Sequence, residues 1–174
     1  MNNFSNREEI TEKTNLNKKK IIILIGLILG WMAFIFYMSH QPASVSSGQS
    51  GRTINAIINL PIIGVIAKPI LTSSIGEFLI RKAAHMFLYF ILGILTFTYL
   101  CKKKINNNEL ISKTIIKNFV ISLILVFLYA CTDEIHQLFI PGRSGEFRDV
   151  MVDTMGGFIG LSLIGIYYYK RKTK

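Results

Sequence analysis

Four apolar runs divide the chain into segments that are long enough to cross a membrane. They lie at residues 21–38, 78–100, 115–139 and 149–169. A transmembrane helix needs about 20 mostly apolar residues. The third run is uninterrupted only from Phe119 to Thr132, so it reaches that length only if its helix continues through Asp133 toward Phe139. The pattern predicts an all-α integral membrane protein with four transmembrane helices, and it places the acidic end of the third helix at membrane depth.

The connection between the first two predicted helices, Ser39 to Ile80, is polar at first and then apolar. It opens with the letters SHQPASVSSGQSG, which are typical of turns and loops. From Thr53 to Leu60, isoleucine and asparagine side chains fall on opposite faces, which predicts a short helix in the membrane interface. Residues 61–71 are apolar but are interrupted by Lys68 and Pro69. They are too short to span, so we expect an interfacial or re-entrant segment there.

Polar residues flank the apolar runs at both ends of the chain. We divide the chain into a mobile polar tail at residues 1–20, a membrane domain at residues 21–169 and a basic end at residues 170–174. Lysines followed by an apolar run also fit a secretory signal peptide. The first run is longer than a usual signal core and ends in the bulky letters FIFYM, so we expect an uncleaved anchor.

The distribution of charge predicts the orientation of the helices. The chain has 174 residues, 51% of them hydrophobic, and a formal net charge of +10. With a cytoplasmic N-terminus, the inner segments 1–20, 101–117 and 170–174 hold 14 of the 20 basic and 4 of the 10 acidic residues. Basic residues favour the cytoplasmic side, so we expect a multi-pass protein of the cell membrane with both termini in the cytoplasm. The basic residues lie at span ends, where they are expected to bind anionic membrane lipids and not nucleic acid.

The outer half then has no net charge but many charged groups. It holds six basic residues, six acidic residues and all three histidines. Five of the acids fall in the first 23 residues of the stretch from Cys131 to Gly160. Ionisable groups at the edge of a membrane are costly to place, which makes them functional candidates.

Helical spacing predicts which of these groups meet. Shared faces are expected for Arg81, His85 and Tyr89, for Asp133 and Gln137, and for Asp149, Asp153, Gly156 and Gly160. The two glycines are expected to let another helix approach closely. Packing the three faces together predicts an outward-facing polar pocket under the loop that carries Arg143. The expected ligand-binding residues are Arg81, His85, Asp133, Glu134, Gln137, Arg143, Asp149 and Asp153.

A structural role and an anion site both fit these residues. In the structural role, Arg81 pairs with Asp149 or Asp153, and the long side chains of Lys82 and Arg148 reach lipid phosphates. In the anion site, basic side chains hold a phosphate or carboxylate on a surface molecule. The basic residues in question are Arg81, Lys82, Arg143 and Arg148.

Metal and nucleophile chemistry are less well supported by the sequence. The residues competent to ligate a metal are His85, Asp133, Glu134, His136 and Asp149. No H-E-x-x-H motif is present, and the neighbouring acids and histidines do not give two ligands on one helical face. Ser144 is available as a nucleophile but resembles no nucleophile elbow. We therefore expect neither a metal nor a cofactor.

Three sequence blocks resemble the VanZ-like family of small bacterial membrane proteins. FIFYMSHQPASVSSGQS resembles the end of the family's first span, RKAAHMFLYFILG its second span, and DEIHQLFIPGRSGEFRDVMVDTMGGFIG its most distinctive block. The family pattern D-E-x-x-Q…P-G-R…D falls on Asp133, Glu134, Gln137, Pro141, Gly142, Arg143 and Asp149. Many members carry Asn where this chain has Asp153, which leaves the role of that position open.

The resemblance implies a small envelope protein, and three functions are open. The name-giving member is linked to low-level resistance to teicoplanin, a lipid-tailed glycopeptide, so the first hypothesis is a protein that alters how such a lipoglycopeptide, or another envelope ligand, meets the cell. The second is an intramembrane enzyme acting on a lipid-linked or cell-wall substrate. In it Glu134 or Asp149 is the base and His85 or His136 the proton shuttle. The third is a small transporter that works as a homo-oligomer through Gly156 and Gly160.

Overall fold

Six α-helices account for most of the chain. The computed structural model describes residues 2–73, 75–103 and 111–172, and it describes the side chains of residues 15–73, 75–103 and 113–171. The helices are α1 (Asn2–Ser39), α2 (Ala43–Ile58), α3 (Ile63–Leu71), α4 (Gly76–Lys103), α5 (Ile111–Gln137) and α6 (Phe147–Lys172). Within these described residues there is no strand, which confirms the predicted all-α class.

Four of the six helices are long and apolar enough to cross a membrane. The candidate spans are Asn15–Ser39, Gly76–Lys103, Lys113–Gln137 and Phe147–Arg171. The prediction of four spans is confirmed, and α5 does continue through Asp133 as its length required. Much of the surface of these helices is apolar and exposed, with Leu128 and Leu163 more than half exposed. Such a surface suits contact with lipid tails.

α4 and α6 run in the same direction and approach closely through glycines. A Cβ atom added at Gly156 would clash with the backbone of Met86, and one at Gly160 would clash with the backbone of Phe90. Small residues allow this approach, as the sequence spacing predicted. Both glycines thus contact a helix of the same chain, so an oligomer of the kind expected for a transporter would need a different surface.

Hydrogen bonds from large aromatic side chains connect α1 to its neighbours. Trp31 Nε1 donates to the carbonyl of Leu88 at 2.8 Å, and the Tyr129 hydroxyl donates to the carbonyl of Met32 at 2.6 Å. Polar groups inside a membrane protein must find partners within it, because lipid supplies none. These contacts border the buried core around Ile35 and fix the pocket end of α1 against α4 and α5.

α2 begins earlier than the sequence predicted. Residues 43–51 were expected to form a loop but belong to this helix, which begins after Pro42. Proline is well placed before a first helical turn because its φ angle is fixed and it lacks an N–H. Ser46, Ser50 and Ile54 then form one buried face that packs toward α4. Packing of this small-residue face outweighs the loop-forming tendency of the serines and glycines.

α3 is short, apolar and exposed. Its Val65 and Ile66 side chains are 76% and 73% exposed, and Pro69 lies inside the helix near its end. The helix is too short to span, so the interfacial or re-entrant placement of residues 61–71 stays a prediction.

The first helix, α1, extends into the N-terminal segment. It begins at Asn2, so it includes residues 2–20, which the sequence analysis assigned to a polar tail.

Candidate functional site

A polar pocket of about 170 Å³ lies at one end of the helix bundle. At this end α1 and α5 finish while α4 and α6 begin. Seven of the eight expected binding residues line it: Arg81, His85, Glu134, Gln137, Arg143, Asp149 and Asp153. The eighth, Asp133, is buried behind the lining and is only 2% exposed. The structure therefore brings the set together from three helices and one loop.

The charged groups of the pocket are sorted by depth. The carboxylates of Glu134 and Asp153 are buried, with 5% and 1% of each residue exposed. Arg81 and Lys82 are half-buried, and Arg148 is exposed. We call the buried carboxylates at Asp133, Glu134 and Asp153 the floor, and the basic residues Arg81, Lys82, Arg143 and Arg148 the rim. A negatively charged floor thus lies beneath a positively charged rim.

Arg143 connects three parts of the chain. Its Nε donates to the carbonyl of Gln41 at 2.9 Å, and its two terminal nitrogens donate to Gln137 Oε1 at 3.0 Å and to the carbonyl of Met38 at 3.4 Å. A tight turn brings the side chain over the pocket, with Gly142 at a positive φ of 76° that favours glycine. Arg143 therefore closes the end of α1, whose last carbonyls lack partners within the helix.

The charge of Arg143 is unfavourable where it lies. Burial, and next the neighbouring charge of Arg81, lower the pKa of the Arg143 guanidinium from its usual value. Arginine stays protonated in proteins, so the lowered pKa reflects first the cost of removing the Arg143 guanidinium from water and second its repulsion by Arg81. An anion between these two side chains would reduce that cost.

Gln137 links Arg143 to the floor. Its amide nitrogen donates to Glu134 Oε1 at 3.1 Å and to Asp133 Oδ2 at 3.3 Å. The Ser39 hydroxyl also donates to Asp133 Oδ2, at 2.7 Å, and the backbone N–H of Glu146 donates to Glu134 Oε2 at 3.0 Å. Every one of these bonds orients the carboxylate of Asp133 or of Glu134.

The ion pairs differ from those predicted. Asp149 pairs with Lys82, not with Arg81, and Asp153 Oδ2 lies 3.7 Å from His85 Nδ1. Arg81 and Lys82 lie four and three residues before His85, so both neighbour it on α4, but Lys82 is the one whose side chain reaches a carboxylate of α6. The prediction that Arg81 locks the bundle through either aspartate is wrong, as is the prediction that Lys82 reaches lipid phosphates. Arg148 pairs with Glu146 at 2.8 Å.

His136 lies outside the pocket. Its ring stacks on Phe36 with centroids 4.2 Å apart, and its Nε2 is 3.1 Å from Nδ1 of His40. The two histidines proposed as proton shuttles are therefore not equivalent, because His85 alone lines the pocket. Neither His136 nor Ser144 contributes to the floor.

Sequence reasoning missed the contribution of α1 to this site. Ser39 and the carbonyls of Met38 and Gln41 contact residues about a hundred positions later in the chain. Helical spacing relates only residues of one helix, so it could not detect these contacts. The signal that was available is the SHQP sequence directly after the first apolar run.

Two carboxylates of the floor and one histidine lie close enough together to bind a cation. His85, Asp133 and Asp153 each offer one ligand atom, and these atoms lie within 4.8 Å of one another. Asp133 Oδ1 and Asp153 Oδ2 are buried, and neither atom has a hydrogen-bond partner among the residues that the structure describes. Of the residues that the sequence marked as competent metal ligands, Glu134, His136 and Asp149 are outside this cluster, and Asp153 was not among them.

Comparison with known proteins identifies the family of the chain. The sequence model of the VanZ/LLP1 family matches residues 24–168, which include the second and third spans, most of the first and fourth, and every residue that lines the pocket. No curated protein and no solved structure matches the chain.

Proposed function

The chain belongs to the VanZ/LLP1 family, and from this premise we propose that it is an envelope protein whose pocket binds an anionic group of a surface molecule. The group is a phosphate or a carboxylate. By occupying or masking that group, the protein alters how a lipoglycopeptide such as teicoplanin meets the cell. The proposal combines the family's link to teicoplanin with the chemistry of the rim.

The observation that carries this proposal is the state of Arg81. Its side chain lines the pocket and is half-buried, yet among the described residues it forms no ion pair. Lys82 and Arg148 each have a carboxylate partner, and Arg143 donates to two carbonyls and an amide. A guanidinium presents a planar fork of donors that matches phosphate or carboxylate. Arg81 is therefore the rim residue best placed to bind an external anion.

The proposal also requires that the pocket open to the outside of the cell. The exposed lysines before the apolar part of α1 and at the end of α4 lie at the opposite end of the bundle from the pocket. Basic residues are retained on the cytoplasmic side. This arrangement supports an outward pocket and cytoplasmic termini.

The test measures labelled teicoplanin bound per cell in a sensitive Gram-positive host. The host carries empty vector, the wild-type chain, Arg81→Gln, or the control Arg52→Gln, which changes an exposed arginine of α2 outside the pocket. We expect the wild type and the control to lower binding, and Arg81→Gln to lose most of that effect at equal protein levels. Equal binding in all four strains would refute the link to teicoplanin.

An intramembrane enzyme is the second candidate, and the floor is the observation that favours it. Glu134 is buried beneath the rim, and His85 lines the same pocket, so an acid–base pair lies near the expected anion. In this version His85, not His136, shuttles the proton. A Glu134→Gln strain added to the same experiment separates the candidates, since an enzyme loses its effect in this variant while a binding protein with an intact Arg81 keeps it.

A further inference from the structure

We infer that His85, Asp133 and Asp153 form a binding site for one divalent transition-metal ion, of the kind represented by Zn²⁺ or Mn²⁺, at the floor of the pocket. The sequence alone led to the expectation of no metal. The inference is independent of the proposed anion binding, because it concerns different residues and is tested with the metal alone.

The spacing of the three side chains is close to that of a metal site. Their ligand atoms lie within 4.8 Å of one another, and His85 Nδ1 is 3.7 Å from Asp153 Oδ2. That distance is too long for a good hydrogen bond. Two ligands on a tetrahedral zinc ion, each about 2.0–2.1 Å from the metal, are roughly 3.4 Å apart. A small inward movement of the side chains would therefore complete the site.

Two buried oxygen atoms point to a missing partner. Asp133 is 2% exposed and Asp153 is 1% exposed, yet within the described part of the chain Asp133 Oδ1 and Asp153 Oδ2 have no hydrogen-bond partner. Buried polar atoms are nearly always paired, and an unpaired one calls for an explanation such as a bound ion. Both atoms belong to residues of the cluster that also contains His85, so a single cation bound there would supply a partner for these carboxylates.

The surrounding hydrogen bonds are those expected around a metal ligand. Ser39 and Gln137 both donate to Asp133 Oδ2, which fixes the carboxylate and leaves Oδ1 available. Ligating carboxylates are commonly held in this way by outer donors, which set their orientation. Gln137 is in turn held by Arg143, so the whole network supports the position of one carboxylate oxygen.

Charge leads to the same conclusion. Burying a carboxylate without a counter-charge is unfavourable, and two adjacent carboxylates repel each other. Among the described residues, Lys82 pairs with Asp149, Arg143 bonds to carbonyls and Gln137, and Arg81 forms no ion pair, so none of these three cations pairs with Asp133 or Asp153. A divalent ion would neutralise Asp133 and Asp153 directly.

The ligand set indicates the class of metal. One imidazole with two carboxylates suits zinc or manganese, while the absence of sulfur argues against soft ions such as Cu(I). Three protein ligands also leave a coordination position for water or for a group that enters from the pocket, which His85 and Asp153 line.

The test uses the full chain, purified in lipid nanodiscs, stripped with a chelator and reloaded with Zn²⁺ or Mn²⁺ alone. Elemental analysis should find one ion per chain. We expect His85→Gln, Asp133→Asn and Asp153→Asn each to weaken the affinity by about ten-fold or more, at least the effect of losing an outer-shell partner. The controls His40→Gln and Glu146→Gln, which change a histidine and a carboxylate outside the cluster, should bind as the wild type does. Equal binding in all six proteins, or none in any, would overturn the inference.

A measurement on the wild type alone guards against variants that fail to fold. X-ray absorption of the zinc-loaded protein should show one imidazole nitrogen and otherwise oxygen ligands. Two imidazoles would assign the ion to His40 and His136, whose rings lie together outside the pocket, and would overturn the inference. The anion proposal is judged separately, because it depends on Arg81 and on antibiotic bound to cells.

Discussion

The two ends of the helix bundle use charged residues in opposite ways. At the end opposite the pocket, Lys18, Lys19, Lys20, Lys102 and Lys103 are all exposed, and no acid is described beside them. At the pocket end, the acids of the floor are buried, and donors from α1, α5 and the loop before α6 hold Asp133 and Glu134. Exposed lysines at a span end are residues of the kind that favours one topology, whereas buried ionisable groups are candidates for a functional site. Depth and pairing, more than the number of charges, separate the two roles.

The largest effect should follow from removing Arg143. Arg143→Ala removes three hydrogen bonds that join α1, α5 and the loop, and we expect the free energy of unfolding to fall by about 3 kcal/mol or more. Lys19→Ala, at the other end, should change it by less than about 0.5 kcal/mol, as surface substitutions usually do. Detergent-titration unfolding in mixed micelles measures both values.

The shape of the guanidinium sharpens this prediction. Arg143→Lys keeps the charge but cannot reach the carbonyls of Gln41 and Met38 and the amide of Gln137 together. It should therefore recover only part of the lost stability. Equal stability of Arg143→Ala and the wild type would show that the pocket end is no more tightly connected than the basic end.

A smaller effect should distinguish two ion pairs within the pocket end itself. Lys82 and Asp149 are 19% and 14% exposed, whereas Arg148 and Glu146 are 66% and 45% exposed. A double-mutant cycle with Lys82→Met and Asp149→Asn should give a coupling energy of about 1–3 kcal/mol, as contacting buried pairs do. The same cycle with Arg148→Met and Glu146→Gln should give less than about 1 kcal/mol, because solvent screens exposed pairs. A larger coupling in the exposed pair would contradict the argument from depth.

The sequence predicted the four spans, and it named seven of the residues that line the pocket, because both inferences begin from local pattern. The length of the third apolar run required α5 to continue through Asp133, and the spacing of Gly156 and Gly160 predicted a close approach of helices. Such inferences need only the geometry of one helix and the thickness of a membrane. Whether the gathered residues bind a ligand is a separate question, and that part of the sequence analysis stays a prediction.

The errors arose where a contact depends on two distant segments. Arg81 was expected to pair with Asp149 or Asp153. The way α4 packs against α6 instead places Lys82 beside Asp149 and His85 beside Asp153. The helical start of α2 was missed because its small buried face stabilises residues that favour loops in isolation. Ser39 was missed because its partner Asp133 is 94 residues away. Only the packing of helices decides such contacts.

The smallest effect on stability, and a large one on orientation, should come from the lysines of the basic end. Changing Lys18, Lys19 and Lys20 together to glutamine should alter the free energy of unfolding by only about 0.5 kcal/mol. The same change removes the basic residues nearest the first span, which favour a cytoplasmic N-terminus. The orientation is measured with Ser144→Cys, an exposed position, in a chain whose two native cysteines are changed to serine. A thiol reagent that cannot cross the membrane is added to intact cells, and it labels this cysteine only if the pocket faces outward. We expect full labelling with the native lysines and reduced labelling with the glutamines. Absence of labelling with the native lysines would place the pocket in the cytoplasm and would rule out its contact with an external glycopeptide.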